Sequence, residues 1–72
     1  MPEERIRQTL AELGEHPELT EETRSQVQQA AEEAHAGEHE GLKGLIDRLE
    51  QRHPQLTLLV GRLAESLAEM GI

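Results

Sequence analysis

Apolar positions along this chain recur at helical spacing, and nowhere do they alternate at period two. β-branched residues are few, while Ala, Leu, Glu, Gln and Arg dominate, so the pattern reads as all-α with three to four short helices. Ile6, Leu10 and Leu13 form a narrow 4,3 stripe that predicts a first helix from Pro2 to about Leu13. Pro2 suits a first helical position, Glu3 and Glu4 complement the positive end of the helix dipole, and Gly14 is the expected stop. A second helix is expected from about Pro17 or Thr20 to Ala36, capped by Thr20 and closed by Gly37. Its face (Leu19, Val27, Ala30, Ala31, Ala34) is shallow, so this helix leans on its neighbours.

Leu42, Leu45, Ile46 and Leu49 give an i, i+3, i+4, i+7 stripe for a third helix from near His39 to Arg52. His53-Pro54 follows. Proline removes a donor and disfavours helical geometry in the residue before it, which favours a break and a C-terminal helical hairpin. Against that, Leu42, Leu49, Leu56, Leu63 and Met70 keep a seven-residue spacing across the proline, so a single kinked helix stays open. In the last segment Leu56, Leu59, Val60, Leu63, Leu67 and Met70 share one broad face, and Pro54 takes a first-turn position. Beside that face runs a strip of small residues, Thr57, Gly61, Ala64 and Ala68, and Leu58 stands among Arg62, Glu65 and Glu69. Gly61 inside a helix costs about 1 kcal/mol relative to Ala, and close approach of another backbone would be a structural reason for it. Gly71 reads as a left-handed stop, with Ile72 folding back towards Leu67. HPELT at 16–20 echoes HPQLT at 53–57, but the copies diverge afterwards; shared helix-start chemistry explains the echo without a duplication.

Composition makes the picture lopsided. The 72 residues allow one small domain, without Cys to cross-link it and without Phe, Trp or Tyr to fill its core. Residues 1–37 form an acidic, weakly apolar front half; residues 38–72 hold most of the leucine. Residues 1–41 carry only 6 of the 18 large aliphatic side chains. The C-terminal half therefore has more apolar surface than the front half is expected to cover. The expectation is a homo-oligomer, a dimer first of all, in which two copies pair through Leu42, Leu45, Ile46, Leu49, Leu56, Leu59, Val60, Leu63, Leu67 and Met70, with the first two helices packed outside.

Net charge is −8, from 15 acids and 7 bases. That balance disfavours direct binding to nucleic acid or to an anionic membrane surface, and suits docking on a basic protein, with nucleic-acid mimicry as its extreme form. The opening MPEERIRQ has no apolar core of a signal peptide and no run is long enough to span a bilayer, so the cytoplasm is the expected location.

Glu32, His35 and His39 form E-x-x-H-x-x-x-H, the one pattern with metal-ligand spacing. Gly37 between the histidines argues against a continuous helix, and a solvated polar stretch is the expected reading; neither metal nor cofactor is expected. His16 and His53 each precede a proline, where an imidazole can meet exposed backbone groups of a turn. Ser25 and Ser66 lack a nearby His or a glycine-rich elbow, and no phosphate loop is present, so the chain reads as a non-enzyme.

The segment EHEGLKGLIDRLEQRHPQLTLLVGRLAESLAEMGI, residues 38–72, resembles the C-terminal half of a family of short bacterial proteins known as a domain of unknown function, number forty-four oh four. The likeness rests on Glu38, His39 and Leu42, on the Leu-rich helix into His53-Pro54-x-Leu56, and on the closing Met70-Gly71-Ile72. The front half is similar more loosely, through a first helix and Pro-x-Leu before an acidic helix start carrying Arg24. The chain is shorter than the family pattern and has Leu49 in the region where an aromatic often precedes His-Pro. The resemblance implies a helical fold and a bacterial origin, and implies no activity.

Overall fold

The computed structural model describes residues 1–71. Four helices, α1 (Pro2–Glu15), α2 (Glu21–His35), α3 (Gly41–Arg52) and α4 (Thr57–Glu69), account for the regular structure, with a single 3₁₀ turn at Pro54–Leu56 leading into α4. Among the described residues there is no strand.

Local chemistry sets the ends. At the start of α2 the Thr20 hydroxyl accepts the Thr23 N–H at 3.2 Å and donates to the Thr23 hydroxyl at 2.8 Å, which satisfies a helix-start donor. At its end Gly37 takes φ +86°, a left-handed conformation that glycine adopts without a Cβ clash. The Glu38 N–H then reaches the Glu33 carbonyl at 2.8 Å and the Gly37 N–H reaches that of Ala34 at 3.0 Å, a complete Schellman closure. Gly71 repeats the left-handed stop after α4, at φ +78°. The expected return of Ile72 towards Leu67 lies outside the described residues.

Two expected boundaries move. The first helix does not stop at Gly14 but runs to Glu15; His16 (φ −67°, ψ 127°) ends it, because Pro17 forbids helical geometry in the residue before it. The third helix starts at Gly41 rather than near His39, because the chain leaving the left-handed Gly37 needs Glu38 to Glu40 to turn back.

Ion pairs report the topology. Arg5 meets Glu69 at 3.0 Å and Arg62 meets Glu12 at 3.4 Å, so α4 runs antiparallel to α1. Arg48 meets Glu22 at 3.4 Å at one end of α2, and the Glu33 carboxylate lies against Gly41 at the other, so α3 runs antiparallel to α2. The helices therefore alternate up and down around a square: α1 and α3 each pack on α2 and α4, and the backbones of the diagonal pairs stay apart. This arrangement settles the hairpin against the single kinked helix. His53 (φ −134°, ψ 63°) and Pro54 break the chain, and α4 returns along α3.

The core also corrects the expected division between outer and inner helices. Ile6, Leu10 and Leu13 of α1 are sealed from solvent as completely as Leu42, Leu49 and Leu63. Seven residues expected to face a second copy, Leu42, Leu45, Leu49, Leu56, Val60, Leu63 and Leu67, are buried within the one chain. Ile46, Leu59 and Met70 are half-buried against the same cluster. The three-residue stripe of α1 is narrow but wholly buried, and α4 closes over it. Val27, Ala30 and Ala34 of α2 fill the remaining side, with Leu19 from the loop before it.

Candidate interaction surface

With most of the large apolar residues consumed in the core, Leu58 and Met1 excepted, what remains outside is largely polar and strongly acidic. Among the described residues only Glu12, Glu22 and Glu69 of the 15 acids are held in ion pairs. These pairs are well exposed, and each is worth at most about 1 kcal/mol. Glu15, Glu18 and Glu21 gather in the α1–α2 hairpin and point to water. Arg24, the cation of that hairpin, does not neutralise them. Its guanidinium donates to the carbonyl oxygens of Gly14, of His16 at 3.0 Å and of Leu19 at 3.1 Å, so it stitches the loop instead. Sequence reasoning noted Arg24 only as part of a resemblance; a clamp onto three carbonyls needs the turn to exist first.

The histidines separate. The His16 Nδ1 accepts the Glu18 N–H at 3.2 Å, the expected turn role. His53, in the matching position of the second His-Pro turn, departs from that expectation: it is 3% exposed and neither ring nitrogen has a partner. Ser66 is likewise sealed in with an unpartnered hydroxyl. Each orphan carries a desolvation cost. Glu32, His35 and His39 do not converge. The first two are exposed on α2, and His39 lies buried across the Gly37 turn. No three acidic or histidine side chains among the described residues gather as metal ligands.

Two grooves run along the bundle. The one between α2 and α3, about 310 Å³, is edged by Gln26, Gln29, Glu33 and Arg48 and is polar. The one between α3 and α4, about 260 Å³, is lined by Ile46, Glu50, Thr57, Val60, Gly61 and Ala64 and ends at His53-Pro54. Thr57, Gly61 and Ala64 of the small-residue strip thus lie open on the α3 side of α4. A Cβ at Gly61 would meet nothing within 4 Å, so no backbone of this chain approaches it. Leu58, at 79% exposure, stands on the outer side of the same helix.

No helix among the described residues is long and apolar enough to cross a membrane. A four-helix chain with a leucine core, His-Pro turns and an acid-rich exterior is a small helical bundle. The sequence model described as Domain of unknown function (DUF4404) matches residues 3–72, nearly the whole chain, and the chain belongs to that family. Comparison with curated proteins and with solved structures gave no match.

Proposed function

We propose that this chain is a non-catalytic interaction module that recognises a basic protein partner. The observation that carries the reading is the α1–α2 hairpin, where Glu15, Glu18 and Glu21 are exposed while its cation, Arg24, is committed to backbone carbonyls. A surface whose carboxylates have no internal counter-ion speeds encounter with positive partners and weakens that encounter as salt rises. Immobilised chain should capture basic proteins from a bacterial lysate and release them at high salt. The variant E15Q/E18Q/E21Q should retain little of that set; an unchanged set would reject the reading.

Self-association is a second reading, supported by exposed Leu58 beside the small-residue strip. It no longer draws on the buried face of residues 42–70. Light scattering over a dilution series tests it: a mass that falls towards 8.1 kDa only on dilution supports it, and an 8.1 kDa species throughout rejects it.

A further inference from the structure

We infer that the groove between α3 and α4 is a docking site for an amphipathic helix carrying basic residues on its flanks. This rests on the proposed recognition of a basic partner and names the surface that would perform it. Three independent features meet at this place. The first is space for a backbone: Gly61 and Ala64 present no side chain beyond a methyl, and a Cβ at Gly61 has open space around it. Gly61 costs α4 about 1 kcal/mol of helix propensity, and the fold of the single chain returns nothing for it. Small residues four apart or three apart on one face let a second helix approach closely, and helices laid into grooves anchor through residues at i, i+3, i+4 and i+7.

The second feature is the imidazole at the groove's end. His53 lines it, is 3% exposed, and has two ring nitrogens without a partner. Both nitrogens are sealed, so a polar group of a docked helix supplies the missing hydrogen bond only as the imidazole turns outward into the groove.

Charge is the third, and it selects the occupant. Glu50 lines the groove, Asp47 lies one turn earlier on the same side of α3, and Glu65 lies one turn after Gly61 on α4. All three are exposed and none is in an ion pair among the described residues. Lys43, one turn before Ile46, is the cation at the far end. The groove's His53 end lies at the same end of the bundle as the acidic α1–α2 hairpin, because the up-and-down topology brings both connections there. A helix with lysine or arginine flanks is drawn to this face of the bundle, whereas a second copy, itself at −8, is repelled.

The test uses the full chain and a synthetic helical peptide with lysines on both flanks and an inward stripe of alanine and leucine. Anisotropy of the labelled peptide gives affinity, and backbone amide shifts locate the site. Binding should perturb Ile46, Glu50, Gly61 and Ala64. Gly61→Leu, whose Cβ enters open space on an exposed helix position, should unfold at or above the temperature of the parent chain and weaken binding at least about tenfold, as should D47N/E50Q/E65Q. Peptide binding that is weakened by E15Q/E18Q/E21Q but unaffected by Gly61→Leu overturns the groove while keeping the acidic reading. Equal binding of a peptide with glutamate flanks overturns the charge selection, and no binding at low salt overturns both. If light scattering shows a dimer that Gly61→Leu dissociates, the occupant is a second copy and the inference is wrong.

Discussion

The Arg24 guanidinium donates to the carbonyl oxygen of His16 at 3.0 Å, across the turn that joins α1 to α2. With the Gly14 and Leu19 carbonyls as further acceptors, one side chain satisfies the end of α1 and most of the loop. Hydrogen bonds to a charged group contribute roughly 1.5–3 kcal/mol, less where water can substitute. Arg24→Met should therefore cost about 2 kcal/mol, a fall in Tm of about 8–16 °C for a domain of this size. Arg24→Lys should recover little, since an ammonium lacks the planar fork that reaches separate carbonyls. Thermal unfolding followed by circular dichroism checks both.

Leu13 is completely buried on α1, as Leu63 is on α4. Truncating either to Ala should cost about 2–5 kcal/mol. An outer helix would give Leu13→Ala a small penalty; comparable penalties in urea unfolding would confirm that α1 belongs to the core. Leu63→Glu should leave the chain unfolded.

Ser66 offers the opposite outcome. Its hydroxyl is buried without a partner, so Ser66→Ala removes a desolvated polar group and also favours the helix. The variant should gain about 1 kcal/mol, measurable as a rise in the urea midpoint at unchanged slope. A loss would mean that the hydroxyl is bonded in solution.

Two interior glycines test helix propensity alone. A Cβ at Gly44 meets nothing within 4 Å, and at Gly14 it meets Val27 Cγ1 at an ordinary 3.9 Å. Gly44→Ala and Gly14→Ala should each stabilise by about 0.5–1 kcal/mol. Gly37→Ala, at φ +86°, should destabilise instead. Midpoints from denaturant unfolding of the three variants give the signs directly.

What could be read in advance was what local chemistry determines. Thr20, Gly37 and His53-Pro54 punctuate the helices where expected because caps, left-handed stops and pre-proline residues act over a few positions. Even the rejected repeat has a shared geometry: the Leu19 N–H meets the His16 carbonyl at 3.2 Å, and the Leu56 N–H meets that of His53 at 2.9 Å. The partner of a stripe is not a local property. Nothing in Ile6, Leu10 and Leu13 states that α4 rather than solvent will cover them, and so the pattern alone points the leucine of residues 42–70 at a second chain. The fate of the two histidines is equally hidden, since pentapeptides that differ at one position leave one ring against a backbone amide and seal the other inside. For the groove, composition revealed its small residues; the position of α3 decided that they would stay open.

The contact of α1 with α4 joins the first helix to the last. In a chain emerging from the ribosome, Ile6, Leu10 and Leu13 have only α2 beside them until some fifty further residues have been made, as the Arg62–Glu12 pairing across the sequence illustrates. Loss of α4 by early termination would leave the other three helices with an open apolar side. Such a fragment should be prey for proteases and should not persist as a smaller working version.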